Sequence, residues 1–287
     1  MKKHILLLFS SAFLITCFMS QNNITHAETV NDTTPIDRIS QMQNQVHQKN
    51  KAKVISVNDK YIKITNYDNG QTKSEAFDKS GYISERTKEY LEKSDFSANP
   101  LSANLSVANP VQGHNTYSWI RITTELDYAG PQSTYYVYGY YSWLVGANNR
   151  KTDVIGLSHD SNVSFYGDNY AESHNYYYWD NSEDHLEDIS LNHNSDGFKT
   201  DVNGIAFPFT LNYYSTDINH LPYGMISTRA QNTSYSGRSC NISCSYAHQE
   251  TYLTIKPDIT FPGGPKIVVE PETKFDNAAC TINANLD

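Results

Sequence analysis

Beyond residue 115, short apolar runs alternate with clusters of Asn, Asp, Gly and Ser. The runs are rich in Tyr, Val, Ile, Thr and Phe, which suit a pleated, half-buried surface, and none has the long 3.6-residue period of a helix. Many short strands without intervening helices favour a mainly β protein, with an antiparallel β-sandwich or a jelly-roll-like fold as the C-terminal domain. The predicted strands are 118–126, 134–144, 153–158, 162–166, 176–179, 205–213, 225–229, 250–256 and 266–270.

The segment before residue 94 mixes helical and strand patterns. Four apolar residues spaced three, three and four apart fall on one stripe of a helix predicted within 34–51, namely Ile36, Ile39, Met42 and Val46. The same segment contains a predicted hairpin, a third strand and a second helix, at 52–65, 71–77 and 84–93. Residues 28–93 are therefore predicted to form a small α+β N-terminal module.

The N-terminus has the features of a secretory signal peptide. Two lysines precede an apolar run at 5–19, which is too short for a stable membrane span, and Ala27 ends a Thr-His-Ala site that suits cleavage. Residues 1–27 are therefore predicted to be removed on export, which leaves a secreted chain without a transmembrane segment. A lipoprotein signal is the alternative, because the segment ending at Cys17 partly matches a lipobox.

Residues 94–114 differ in composition from both flanking segments. Ser-Ala-Asn-Pro, Ser-Ala-Asn-Leu and Val-Ala-Asn-Pro follow one another with a five-residue period and little charge. Such a stretch is typical of an extended connector, so it is predicted to link the N-terminal module to a β-sandwich domain at 115–287. Because exposed connectors are readily cleaved, the module is either a permanent part of the protein or a removable pro-region.

The charge balance excludes some classes of partner. The chain has 22 basic and 31 acidic residues, a formal net charge of −9 and no cluster of Lys or Arg. Nucleic-acid binding requires cations that displace phosphate counterions, so no nucleic-acid partner is expected. The 22 Tyr, 11 Phe and 3 Trp residues supply enough apolar surface for a packed core.

Three cysteines follow the signal peptide. In an oxidising compartment, Cys280 is predicted to form a disulfide with Cys240 or with Cys244, which leaves one thiol over. The alternative is three free, partly buried thiols. A zinc site built on cysteine is not expected, because the usual second pair of ligands is missing.

The densest aromatic segment is 134–143. Strand alternation places Tyr136, Tyr138 and Tyr140 on one face and Trp143 on the other, while the run 176–179 repeats the theme. If one face fills the core, the opposite face presents rings on which sugars stack. The residues predicted to bind a glycan or another cell-surface ligand are Tyr136, Tyr138, Tyr140, Trp143, Tyr177 and Trp179. The alternative is that these rings only fill the core.

An acidic stretch at 180–201 contains a partial calcium-loop pattern. Asn192, Asn194 and Asp196 offer side-chain oxygens at alternate positions, and a glycine follows at the sixth position. The position that should hold a bidentate Glu is Asn203, so a solvated acidic loop is the alternative reading. Calcium is the one cofactor that the sequence indicates.

No motif identifies a catalytic group. The histidines, including His47, lack metal-binding spacing, and no nucleophile signature is present. A carboxylate pair of a glycosidase leaves no local motif, so acidic residues of the strands and of the acidic stretch are candidates: Glu125, Asp127, Asp153, Glu183 and Asp184.

Three function hypotheses follow. The first is a secreted, non-catalytic binding or adhesion module that recognises a surface ligand, with carbohydrate as the expected class. The second is a secreted polysaccharide hydrolase with a carboxylate pair. The third is a membrane-active secreted protein whose strands rearrange at a bilayer.

Overall fold

The computed structural model describes residues 37–67, 71–98, 116–128, 130, 134–145, 152–179, 183–191, 197–211, 219–233, 238–249, 257–271 and 275–286, with side chains except at 37, 90, 92–98, 116, 175–179, 183–191 and 219–220. The elements in chain order are α1 (Asp37–Asn50), β1 (Lys53–Asn66), β2 (Thr72–Phe77), α2 (Lys79–Ala98), β3 (Thr116–Tyr128), β4 (Thr134–Val145), β5 (Thr152–His159), β6 (Val163–Phe165), β7 (Tyr170–Trp179), β8 (Glu183–Leu191), β9 (Lys199–Asp201), β10 (Gly204–Thr210), β11 (Asn219–His220), β12 (Tyr223–Asn232), β13 (Arg238–Gln249), β14 (Asp258–Thr260), β15 (Val268–Glu270) and β16 (Phe275–Leu286).

Two antiparallel sheets form the body of the protein. The larger sheet has the order β11-β7-β12-β4-β3-β1-β2, with β6 paired to β12 and β8 paired to β7. The smaller sheet has the order β16-β13-β5-β10-β9, and β14 pairs with β15 separately. The prediction of a mainly β, antiparallel fold with a sandwich architecture is therefore confirmed.

The space between the two sheets is filled by aromatic and small side chains. Tyr141 and Trp143 of β4 contact Tyr246 of β13, with ring centroids 4.8 Å and 6.2 Å away. Thr124 of β3 donates a hydrogen bond of 2.5 Å to the carbonyl of Cys280 and accepts one of 3.0 Å from the backbone N–H of Cys244. These contacts join the larger sheet to β13 and β16 of the smaller one.

Helix α1 covers the opposite, outer face of the larger sheet. Ile39 and Met42 are buried, and Val46 packs against the same core as strands β3 and β4. Their spacing is the stripe expected from the sequence, so this helix is held by its apolar face. Both faces of the central strands are consequently covered.

Helix α2 lies against β1 and β3. Asp78 precedes the helix and accepts hydrogen bonds from the N–H of Gly81 and the hydroxyl of Ser80, at 2.7 Å and 2.8 Å, which caps its first turn. The Gly81 bond, followed by the Ser80 bond, lowers the pKa of the Asp78 carboxyl. No helix in the described ranges is long and apolar enough to cross a membrane.

Strand β1 runs without a break where the sequence predicted a hairpin. Residues 58–60, expected as a turn, continue the strand and pair with β3 at Thr124, Thr123 and Ile122. The hairpin prediction is wrong because pairing with β3 along the whole length of β1 outweighs the local turn preference of Asn-Asp-Lys.

Strands β1 and β2 belong to the predicted N-terminal module, yet they extend the larger sheet from β3. Ile62 and Ile64 of β1 share one core with residues of β3, β4 and β13. Most of the predicted connector at 94–114 lies outside the described residues. The division of the chain into two domains stays a prediction.

Candidate functional site

The tyrosine row of β4 is the first predicted site, and most of it is enclosed. Tyr136 is half-buried, whereas Tyr138, Tyr140 and Trp143 are 2%, 0% and 0% exposed. The exposure predicted for these last three rings is wrong, because α1 covers one face of β4 and the second sheet covers the other. Tyr138 stacks between Tyr136 and Tyr140, at centroid distances of 6.1 Å and 5.9 Å.

The structure does not describe the side chains of the other predicted ligand and metal residues. Tyr177 and Trp179 lie in strand β7, but their side chains are outside the described part of the structure. The calcium candidates Asn192, Asn194 and Asp196 are outside the described residues altogether. Their roles stay predictions.

The three cysteines are free thiols, so the expected bond of Cys280 with Cys240 or Cys244 is not formed. Cys244 and Cys280 lie opposite each other in the β13–β16 pair, but the Cys280 thiol donates a hydrogen bond of 3.1 Å to the carbonyl of Asn58 on β1. Burial raises the pKa of the Cys280 thiol to about 11 and that of the Cys244 thiol well above its ordinary value. These thiols are therefore poor nucleophiles.

A polar cluster lies beneath the last turns of α1. His47 Nε2 is 2.5 Å from Glu125 Oε1 and 3.4 Å from Asp127 Oδ2. The side chains of Glu125 and Asp127 are 1% and 0% exposed, whereas His47 is 28% exposed. Among the described residues, this is the one group of three or more His, Cys, Asp or Glu side chains whose ligand atoms lie within 4.8 Å of one another. We call these three residues the His47 cluster.

Local structure explains why the His47 cluster forms. Glu125 and Asp127 are two positions apart on β3, so their side chains project from the same face. On α1, Gln43, His47 and Asn50 are four and three positions apart and share a helix face. Gln43 donates a hydrogen bond to Glu125, and Asn50 donates one of 2.7 Å to the Tyr138 hydroxyl.

The turn after α1 fixes the position of His47. Lys51 has a left-handed backbone, with φ of 49°, and its N–H donates to the His47 carbonyl at 2.9 Å. This C-terminal cap ends the helix directly after the polar face and returns the chain into β1.

The electrostatics of the His47 cluster are dominated by its two carboxylates. Burial, followed by the negative charge of Glu125, raises the pKa of Asp127 to about 7, and nearby His47 opposes the shift. Within the described ranges, neither oxygen of Asp127 has a hydrogen-bond partner, and the ion-pair contact with His47 is 3.4 Å long. Burial also raises the pKa values of Tyr138 and Tyr140. Burial and the proximity of the two carboxyl groups therefore disfavour ionising both of them together.

The other acids considered for a hydrolase are arranged differently. Asp153 is fully buried in the core, where it accepts hydrogen bonds from the Tyr246 hydroxyl and, at 2.9 Å, from His248 Nδ1. The side chains of Glu183 and Asp184 lie outside the described part of the structure. Glu125 and Asp127 do lie together, but their side chains are only 1% and 0% exposed beneath α1.

Sequence reasoning named both acids of the cluster but missed His47 as their partner. The missed signal is the polar set Gln43, His47 and Asn50, which follows its own helical spacing beside the apolar stripe. A second signal is the pair of acids Glu125 and Asp127 at alternate positions, which strand alternation places on one face.

A strip of exposed apolar residues borders the His47 cluster on β1. Val54, Ile55 and Val57 are 39%, 38% and 51% exposed, and Tyr128 at the end of β3 is 36% exposed. Val54 pairs with Asp127 and Val57 with Glu125, so both valines share a sheet face with the cluster. We call residues 53–57 the β1 strip.

Comparison with known proteins does not assign this chain to a family. No family model matches the chain, and no curated protein sequence matches it. Among solved structures, the chain is similar to ACE19, the collagen-binding subdomain of the Enterococcus faecalis surface protein ACE, with 10% identity, 55% of this chain and 90% of that chain covered, and a TM-score of 0.29.

Two further structures show similarity at the same level. The collagen-binding domain from a Staphylococcus aureus adhesin has 12% identity over 52% of this chain and 90% of that chain, with a TM-score of 0.25. The Clostridium perfringens NetB toxin in its membrane-inserted form has 9% identity over 59% and 91%, also with a TM-score of 0.25. These scores are too low to carry a function from those proteins to this chain.

Proposed function

We propose that this chain is an exported, non-catalytic binding module that captures an extended polypeptide along the β1 strip. The observation that carries the proposal is the exposure of three neighbouring apolar side chains, Val54, Ile55 and Val57, in a protein with a net charge of −9. Contiguous exposed apolar surface on a soluble protein is typical of an interaction site.

The backbone of the β1 strip supports this mode of binding. Strand β2 pairs only with residues 61–66 of β1, whereas β3 pairs with β1 at residues 53–54 and from residue 56 onward, with a bulge at Ile55. In the described part of the chain, residues 53–57 therefore have a ladder partner on one side only. An open strand edge offers N–H and C=O groups to an added strand, and its side chains supply specificity.

Charge and side-chain chemistry define the class of ligand. Lys51 and Lys53 are exposed at the start of the strip, and the next residues are apolar. The best-matched ligand is a strand-forming segment with apolar side chains and an acidic residue near one end. Carbohydrate recognition was expected through the β4 rings, but burial of Tyr138, Tyr140 and Trp143 leaves those rings without a contact surface.

The test uses the purified protein on two arrays in parallel, one of synthetic decapeptides and one of glycans. We expect retention by apolar, acid-flanked peptides and at least tenfold weaker retention after Val57→Lys, because a lysine breaks the apolar contact. Val202→Lys is the matched control, since Val202 is 82% exposed and lies in the β9–β10 turn. Retention by glycans alone, or equal loss in both variants, would contradict the proposal.

A further inference from the structure

We infer that His47, Glu125 and Asp127 form a binding site for one divalent transition-metal ion of the zinc class, which fastens helix α1 to strand β3. This inference is independent of the proposed peptide binding. It rests on the ligand types, their separations, the unpaired polar atoms around them and the burial of two carboxylates beside a single histidine.

One ligand separation already matches that of a zinc site, and all three ligand atoms lie within 4.8 Å of one another. Zinc bonds of about 2.0–2.1 Å in a tetrahedron place neighbouring ligand atoms about 3.3 Å apart. His47 Nε2 and Asp127 Oδ2 are 3.4 Å apart, whereas His47 Nε2 and Glu125 Oε1 are 2.5 Å apart. Opening the second distance by less than about 1 Å, through side-chain rotation of His47, makes room for the ion.

The unpaired polar atoms give an observation independent of the cluster's spacing. Asp127 is 0% exposed, and its carboxylate oxygens have no hydrogen-bond partner among the described residues, although His47 Nε2 lies 3.4 Å from Oδ2. The hydroxyl of Tyr140, on the same face of the sheet, is likewise buried with no partner in the described part of the protein. A buried carboxylate with no donor costs several kcal/mol in typical proteins, and a bound cation removes that cost.

The need for charge compensation also favours a bound cation. Two carboxylates within a few ångströms of each other are poorly tolerated when both are ionised. Among the described residues, His47 is the one basic side chain in contact with them. A divalent ion neutralises both carboxylates.

The ligand types select the metal. Histidine nitrogen with carboxylate oxygen suits zinc and its neighbours in the transition series, whereas calcium takes oxygen ligands alone. Three protein ligands leave a fourth position, which a water molecule fills from the side of partly exposed His47. Gln43, which donates to Glu125, orients that carboxylate toward the ion.

The experiment measures zinc directly. The purified protein is stripped with a chelator and titrated with zinc alone by calorimetry, and bound metal is counted by elemental analysis after dialysis. We expect one zinc ion per chain and a thermal unfolding midpoint that rises with zinc concentration. Calcium is expected to leave the midpoint unchanged at this site.

Three variants make the test specific. His47→Gln and Asp127→Asn each remove a ligand and are expected to weaken zinc binding by about 100-fold or more, since loss of a mere supporting contact costs about 10–100-fold. Asp127→Asn also removes a buried charge, so its metal-free midpoint should equal or exceed that of the unaltered protein. His174→Gln is the control, because His174 lies 3.5 Å from Glu172 on the same sheet but outside the cluster.

The outcomes distinguish a specific zinc site from adventitious zinc binding. Stoichiometric zinc that survives His174→Gln and is lost in both cluster variants supports the inference. Failure to retain zinc in the stripped and reloaded protein overturns it. Zinc retained equally by Asp127→Asn, which stays folded, also overturns it.

Discussion

Gly139, in the middle of the aromatic strand β4, sets how closely the two sheets approach. A Cβ atom added to Gly139 would lie 2.5 Å from Cys244 Sγ, 3.0 Å from Leu157 Cδ2 and 3.1 Å from Cys244 Cβ. Favourable contacts between such atoms need about 3.5–4.0 Å. Gly139→Ala therefore forces the sheets apart or the Cys244 side chain out of its position.

The expected cost follows from these overlaps. Overpacking a dense core by one methyl group costs about 1–3 kcal/mol. The backbone of Gly139 is not in the left-handed region, so alanine regains about 0.5–1 kcal/mol of strand propensity. The difference is an expected net loss of up to about 2.5 kcal/mol in the free energy of unfolding.

A double-mutant cycle tests the cause of that loss. Cys244→Ala alone removes a buried sulfur and should cost about 1 kcal/mol. Combined with Gly139→Ala, it opens space for the new methyl group, so the double variant should be at least about 1 kcal/mol more stable than additivity predicts. Cys240→Ala is the matched control. Cys240 is as buried as Cys244 on β13, but none of its atoms is among the three nearest to a Cβ at Gly139.

The free energies of unfolding come from urea or guanidinium titrations followed by fluorescence and circular dichroism. Additive effects of Gly139→Ala and Cys244→Ala would refute the proposed clash. So would equal coupling of Gly139→Ala to Cys240→Ala, because that result would reflect a general loosening of β13.

Three further outcomes are expected. Ile39→Ala should cost about 2–5 kcal/mol because Ile39 is fully buried on the inner face of α1. Ile55→Ala on the exposed β1 strip should change stability by less than about 0.5 kcal/mol, and chemical denaturation compares the two variants. Asp153→Ala should cost about 3 kcal/mol or more, since buried His248 loses its acceptor, and an unchanged thermal midpoint would refute this. Burial lowers the pKa of His159, so the folded state takes up its proton less readily than the unfolded state. Stability should therefore fall as the pH drops below about 6.5, by at most about 1.4 kcal/mol per pH unit, and His159→Asn should reduce that slope in unfolding titrations between pH 7.5 and 5.5.

The sequence was most informative where the pattern was long and regular. The spacing of Ile39, Met42 and Val46 predicted a helix, and α1 buries these residues or packs them against the core. The aromatic run in β4 likewise predicted a strand with the bounds observed to within one residue. The prediction of a mainly antiparallel fold needed no more than these periods, because alternation and helical spacing are properties of the local chain.

Strands with polar or small residues were harder to predict. Strand β13 reads Arg-Ser-Cys-Asn-Ile-Ser-Cys-Ser-Tyr-Ala-His-Gln, and β16 is rich in Asn and Ala, so neither resembles an apolar strand. Each is held by pairing with the other along its length. The turn predicted at residues 58–60 was wrong for the same reason, because these residues pair with β3.

The chain by itself determined the class of fold and the positions of α1 and β4, because these depend on hydrophobic spacing within one segment. Only the tertiary structure decided that α1 lies across β4, which encloses Tyr138 and Tyr140 and brings His47 to Glu125 and Asp127. Alternation tells which side chains share a face, but what covers that face depends on distant segments. His47 and Glu125 are 78 positions apart, and only packing of the helix on the sheet brings them into contact.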